Sequence, residues 1–237
     1  MTVALAILAV GFLIFIHELG HLLMARSLGI PVVRFSIGMG PVIWRFQAWD
    51  VEWALSVVPF GGYVLFDAES EAYQASSPVA RILTSLAGPA ANVLAAIVLY
   101  IIAATLDFGA LAVESGLDKT WAAVMETFKV VGMLATGEVG VKDLAGPVHM
   151  VSIGSSLAAE PHRFFSYLGF ISINLAVLNL LPIPALDGGQ ILLTAGQSIL
   201  GRPLPDRAYA VVVGGSYVLL FGLIAWVMVQ DVVRLFS

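Results

Sequence analysis

Two histidines and a glutamate interrupt an apolar N-terminal stretch, where His17, Glu18 and His21 form the pattern H-E-x-x-H within residues 2–28. Residues four positions apart on a helix share one face, so both imidazoles can reach one zinc ion, with Glu18 as general base. Placing three ionisable groups inside a membrane costs several kcal/mol, which favours a functional role. The alternative is that these side chains only pair with one another or with the backbone.

A catalytic zinc ion normally has three protein ligands, and depth in the membrane selects Asp187 as the third. His17 lies about 23 Å into the first apolar segment. A later segment can stay helical over 164–181, about 26 Å, before a Pro-x-Pro sequence stops it. Asp187 follows at a matching depth, whereas His149 and His162 precede that segment and fall on the opposite side. Alternatively, Asp187 is a turn residue at the water boundary.

The composition limits the class of protein. The 237 residues are 59% apolar and 11% charged, and their mean hydropathy is +0.96. Soluble domains carry about 25% charged residues, so a soluble enzyme and a disordered chain are excluded. A net charge of −5 excludes a basic surface for nucleic acid. The absence of cysteine excludes disulfides, thiol nucleophiles and thiolate metal sites.

Four long apolar segments set the architecture: residues 1–28, 82–106, 164–186 and 208–230. Each is long enough, as a helix, to cross a hydrocarbon core of about 30 Å. We therefore predict an α-helical membrane protein, a single domain of four transmembrane helices surrounded by the lipid bilayer. Four spans place both termini on one side, and the distribution of Lys and Arg favours the extracytoplasmic side.

Residues 32–64 change to a two-residue period punctuated by glycines, which predicts membrane-associated β-hairpins. An unpaired strand edge in residues 51–58 could accept an extended substrate by strand addition. A packing element without a substrate role is the alternative. The candidate substrate-binding positions in this segment are Val51, Trp53, Leu55 and Val57.

Three further segments connect the predicted spans. Residues 63–77 are polar and acidic, which predicts a surface loop. Residues 119–135 predict an amphipathic helix lying in the interface plane, and 144–159 predict a short helix that is packed or dips into the membrane. The apolar face of the interfacial helix comprises Trp121, Val124, Met125, Phe128, Val131, Gly132 and Ala135.

H-E-L-G-H together with N-x-x-P-x-P-x-L-D-G at 179–188 resembles the site-2 protease family of intramembrane zinc metalloproteases, closest to the bacterial regulator-of-sigma-E protease branch. The resemblance implies cleavage of single-span, membrane-anchored regulatory proteins or signal-peptide remnants. It also implies one zinc ion per chain, on the cytoplasmic side of the bacterial inner membrane. Further matching segments are Gly38–Pro41, Pro59–Tyr63, Ala87–Asn92 and Ala145–Pro147.

One departure from that branch is large. Its members carry one or two PDZ domains between the second and third spans, whereas here about a dozen residues separate Leu106 from Lys119. Either the protein naturally lacks these domains or they have been removed. The substrate-size filter attributed to them is therefore in doubt for this chain.

Asparagines and small residues in the spans suggest further roles. The Asn179 amide could hold the substrate backbone or an oxyanion, or it could cap a helix or make an interhelical hydrogen bond. We expect Asn92 and Asn174 to make interhelical hydrogen bonds. The small residues predicted to allow close helix packing are Gly88, Ala90, Ala91, Gly214, Gly215 and Gly222.

Two other classes of protein compete with a protease. A metal or proton transporter could use the same histidines and aspartate, but the four spans show no repeated halves. A non-catalytic membrane scaffold would account for the hydrophobicity but not for the ionisable groups in the first span. The pattern therefore favours an intramembrane metalloprotease.

Overall fold

The computed structural model describes residues 2–140 and 146–236, and this part of the chain is mainly helical. Ala145, which begins the predicted motif at 145–147, lies outside the described residues. In chain order the elements are α1 (Thr2–Ser27), β1 (Val32–Ala48), β2 (Val51–Phe66), α2 (Glu71–Ala75), α3 (Pro78–Phe108), α4 (Val113–Thr136), α5 (Pro147–Leu157), α6 (Pro161–Asn179), α7 (Asp187–Leu200) and α8 (Asp206–Phe236).

Three helices of the described chain, α1, α3 and α8, are long and apolar enough to cross a membrane. Helix α6 has 19 residues and is not among them. The predicted helix over 164–186 is wrong at its end, since α6 stops at Asn179 and the prolines that follow cannot extend it. The count of four spans therefore stays a prediction.

The predicted hairpin is present, because β1 pairs antiparallel with β2 around a tight turn. Trp49 and Asp50 at this turn both have positive φ angles, as a two-residue hairpin turn requires. Residues 34–37 of β1 each pair with two positions in β2, one within 52–55 and one within 62–65. The hairpin is therefore bent so that one stretch of β1 lies between two stretches of β2.

The free strand edge predicted in 51–58 is wrong for the four central residues, 52–55. Residues 52–55 pair with 34–37 on one side and with residues 44–47 on the other. Val51 is 1% exposed and Trp53 packs on Phe35, so both belong to the core of the sheet. Alternation identifies a strand but does not tell how many neighbours it has. In the described register, residues 44–47 and 62–65 form the two outer segments of the sheet, and each is paired on one side only.

The chain divides into two compact units, one of which comprises residues 10–92 and 179–204. Within it, the C-terminal half of α1 packs against the β1–β2 hairpin through Leu22 and Ala25. This contact places the sheet beside the H-E-x-x-H turn. The predicted polar loop over 63–77 is shorter than expected, because β2 continues to Phe66 and α2 follows. The buried core here comprises Leu22, Ala25, Ile30, Val32, Phe35 and Val51.

The other unit comprises residues 1–9, 93–178 and 205–237, of which the described part has a core shared by α3, α4 and α6. Helix α4 turns a face of small residues inward, whereas Trp121, Met125 and Phe128 of the predicted apolar face are exposed. Whether that face lies at a lipid interface stays a prediction. The Thr127 hydroxyl donates to the Asn174 side-chain oxygen (3.4 Å), which confirms an interhelical hydrogen bond at Asn174.

Candidate metal centre

Helix α1 brings His17 and His21 together, as their spacing predicts. Both side chains are buried, and their Nε2 atoms lie 3.2 Å apart. The rings meet nearly at right angles, with their centroids 4.8 Å apart. Two ring nitrogens therefore converge on one point beside the helix.

Asp187 completes the cluster from the first residue of α7. Its Oδ2 lies 3.1 Å from Nε2 of His17, and its Oδ1 lies 3.3 Å from Nε2 of His21. The chain leaves helical geometry after α6 and resumes it at Asp187, so the carboxylate is carried on a new helix rather than on the end of a span. The side-chain amide of Gln190 donates to the carbonyl of Pro184 (2.6 Å) and braces this loop against α7.

The three side chains fit a zinc ion. Tetrahedral ligands at about 2.0–2.1 Å from zinc lie about 3.3 Å from one another. The closest separations between the two Nε2 atoms and the carboxylate oxygens are 3.1, 3.2 and 3.3 Å. Within the described residues, His17, His21 and Asp187 are also the one group of three such side chains close enough to hold a metal.

Helix α3 lies behind both histidines. The Nδ1–H of His21 donates to the backbone carbonyl of Thr84 (2.7 Å), and Nδ1 of His17 contacts the side-chain amide of Asn92 at 3.1 Å. The interhelical hydrogen bond expected of Asn92 is therefore present, with a histidine of the cluster as its partner. Sequence reasoning missed this arrangement, although the four-residue spacing of positions 84, 88 and 92 matches that of the histidines.

Glu18 occupies the sheet side of the cluster. Its carboxylate interacts electrostatically with His17, His21 and Asp187. A side chain at Gly62 of β2 would come within 2.8 Å of the Glu18 Cγ, so the strand backbone runs directly against this residue. The H-E-x-x-H glutamate is thus next to, but not one of, the three converging ligands.

The other predicted site residues do not join the cluster. Asn179 is half-buried at the last residue of α6, and in the described structure its amide makes no hydrogen bond to the three ligands. Leu55 and Val57 are exposed on the sheet, 41% and 54% respectively. None of these positions is tested as a substrate contact by the geometry.

The model of Peptidase family M50 matches residues 5–223, nearly the whole chain. The chain belongs to this family. The resemblance to site-2 proteases expected from the motifs is therefore confirmed, and zinc metalloprotease chemistry and membrane-spanning helices agree with it.

Relatives named as zinc metalloproteases cover almost the whole chain. Two proteins, each named "Putative zinc metalloprotease", come from Clostridium perfringens and Nostoc sp. They are 26% and 27% identical to this chain, of which they cover 98% and 99%, while the matches span 99% and 97% of their own lengths. The first alignment extends over 331 positions, so that relative contains residues that this chain of 237 lacks.

A third relative carries a more specific name. The regulator of sigma E protease of Haemophilus influenzae is 30% identical over 132 residues, which are 55% of this chain and 30% of the relative. The membership and these names support a zinc peptidase in a membrane.

Proposed function

We propose that the chain is an intramembrane zinc metalloendopeptidase that holds one zinc ion through His17, His21 and Asp187. The observation that carries this proposal is the convergence of three side chains: the two Nε2 atoms lie 3.2 Å apart, and each lies 3.1–3.3 Å from one oxygen of the Asp187 carboxylate. The two histidines are buried within α1, which is long and apolar enough to span a membrane. Burying ionisable groups at such a place is costly, which favours a functional role for them.

Glu18 is the proton carrier in this proposal. A zinc ion bound there supplies Lewis acidity, which lowers the pKa of water and polarises the scissile carbonyl. Glu18 accepts the proton of the attacking water and returns it to the leaving amine. Glu18 directly follows His17 on α1 and interacts electrostatically with all three proposed ligands, which supports this role.

The substrates we propose are single-span, membrane-anchored regulatory proteins or signal-peptide remnants. A transmembrane helix hides its peptide bonds within its own hydrogen bonds, so it must unwind before hydrolysis. The segment 62–66 of β2 has one unpaired side and begins at Gly62, against Glu18. We propose that this edge, rather than 51–58, pairs with the unwound substrate.

Crosslinking distinguishes the two strand segments. The chain contains no cysteine, so a single introduced cysteine reports one position. Leu65→Cys and Val57→Cys replace side chains of similar exposure, 45% and 54%. In a Glu18→Gln background, a substrate with one cysteine near its scissile bond should form a disulfide with Leu65→Cys. Preferential disulfide formation with Val57→Cys would contradict this proposal and indicate that the substrate binds at the 51–58 segment.

We propose that the metal faces the cytoplasmic side of a bacterial inner membrane and that both termini are extracytoplasmic. Arginines of the first and third connections support this orientation through the positive-inside rule. Gln74→Cys, on the exposed α2 of the first connection, tests it. A membrane-impermeant maleimide should label that cysteine in inverted vesicles and not in intact spheroplasts. The reverse pattern would invert the proposed topology.

The test of the activity itself is Glu18→Gln in the full chain, reconstituted with a fluorescent single-span substrate. We expect zinc to stay at one per chain while cleavage falls by at least about 100-fold, because the proton acceptor is lost. Glu69→Gln, on an exposed loop, is the matched control and should cleave normally. Undiminished cleavage by Glu18→Gln would refute the general-base role.

Two measurements separate the protease from a transporter and test the ligand set. Zinc flux into sealed vesicles, unaffected by Glu18→Gln and unaccompanied by cleavage, would indicate transport instead. Asp187→Ala should reduce bound zinc well below one per chain, since a ligand is removed. A zinc content equal to that of the wild type would exclude Asp187 from the site.

A further inference from the structure

Helix α3 presents three positions, Thr84, Gly88 and Asn92, at four-residue intervals opposite the two histidines of α1. Positions four apart lie on the same face of a helix, one turn from the next. Thr84 contacts His21, Asn92 contacts His17, and Gly88 lies between them. One face of α3 therefore meets both imidazoles.

The approach of α3 is very close. A Cβ atom added at Gly88 would lie 2.2 Å from Nε2 of His21 and 2.9 Å from Cε1 of His17. No side chain fits there without moving an imidazole. The backbone of α3 at Gly88 therefore packs directly against both rings.

The ring nitrogens impose a chemical requirement on this face. An imidazole that offers Nε2 to a metal carries its proton on Nδ1, and that N–H needs an acceptor. The carbonyl of Thr84 accepts the N–H of His21 at 2.7 Å. For His17 the group within reach is the side chain of Asn92, which is fully buried.

An asparagine amide can meet this requirement through its oxygen. Its nitrogen faces His17 Nδ1 in the structure, and a half-turn of the amide exchanges nitrogen for oxygen at nearly the same position. We propose that Asn92 is a positioning residue for zinc binding: its amide oxygen accepts the Nδ1–H of His17 and so directs Nε2 toward His21 and Asp187. This inference rests on the proposed function.

A purely structural role for Asn92 makes a different prediction. Asn174 also joins two helices, and its side chain accepts from Thr127 and donates to the carbonyl of Phe170. Replacing either asparagine removes interhelical hydrogen bonds, but only Asn92 touches a proposed ligand. Asn174→Leu is therefore the matched control for Asn92→Leu.

The experiment measures the zinc dissociation constant of the full chain in detergent, by competition with a chromogenic chelator. Circular dichroism and thermal unfolding check that each variant folds. We expect Asn92→Leu to weaken zinc binding about 10–100-fold, the usual effect of removing a partner of a metal-binding histidine. Asn174→Leu should bind zinc within about twofold of the wild type, because its side chain touches none of the proposed ligands.

Asn92→Asp provides the second arm, since it keeps an acceptor oxygen in a side chain of the same shape. It should retain zinc affinity within a few-fold of the wild type, whether or not Asn92→Leu folds. Wild-type affinity in folded Asn92→Leu, or a loss in Asn92→Asp as large as that expected for leucine, would overturn the positioning role. A wild-type chain that binds no zinc would instead refute the proposed function.

Discussion

Helices α3 and α8 look alike in sequence and differ in what they touch. Each has 31 residues, and the candidate spans they contain have mean hydropathies of 2.1 and 2.2. In the most apolar window, 39% of the α3 residues are buried inside the protein against 6% of those in α8. Hydropathy thus indicates whether a helix can span a membrane. Contact with the candidate metal centre depends instead on a few positions along one face of the helix.

Glycine shows the same contrast. Gly88 of α3 lies against both imidazoles, whereas Gly214, Gly215 and Gly222 of α8 have nothing within 4 Å of an added Cβ. The prediction that these α8 glycines allow close packing is therefore wrong within the described chain. A glycine permits another helix to pack closely against it, but the contact forms only where such a helix is present.

We expect Gly88→Ala to have the largest effect on zinc binding and cleavage among the variants that compare α3 with α8. The added methyl group would displace His21 from His17 and Asp187. Bound zinc should therefore fall below about one tenth per chain, and the cleavage rate should fall at least about 100-fold. Metal analysis and substrate cleavage measure both quantities. Gly214→Ala, a change of the same size in open space, should alter neither. Equal losses in the two variants would remove the contrast.

A smaller effect should follow from Gly62→Ala on the sheet side of the centre. The new Cβ would lie 2.8 Å from Cγ of Glu18 and 2.9 Å from the carbonyl oxygen of Ser36. A base displaced by a fraction of an ångström should lower kcat about 10–100-fold. Zinc affinity should stay at the wild-type value, because no ligand moves. Parallel loss of zinc would mean that the sheet positions the ligands as well as the base.

The smallest effect concerns the contact that α8 does make. Asp231, 2% exposed, accepts the backbone N–H groups of Gly146 and His149 at the start of α5 (3.2 and 3.0 Å). Asp231→Asn replaces one acceptor by a donor and should destabilise the fold by about 1–3 kcal/mol. Thermal unfolding measures this loss, with exposed Asp118→Asn as the control. Zinc binding should be unchanged, and a large loss of zinc would extend the centre's support to α8.

The sequence by itself determined the membrane class, the hairpin and the convergence of His17 and His21, because helical and strand periodicity act over a few residues. It also predicted Asp187 as the partner of the two histidines, although the helix predicted over 164–186 ends at Asn179 in the structure. Its prediction of a free edge in 51–58 was wrong for residues 52–55, since alternation records the faces of a strand and not its neighbours.

Only the tertiary structure decided which segments of the sheet have a free side and which residues stand behind the ligands. Thr84, Gly88 and Asn92 meet the histidines because α3 packs so closely against the imidazoles that a Cβ added at Gly88 would lie 2.2 Å from Nε2 of His21. That approach results from packing between segments about 70 residues apart in the chain. Local periodicity carries no information about contacts at such a separation.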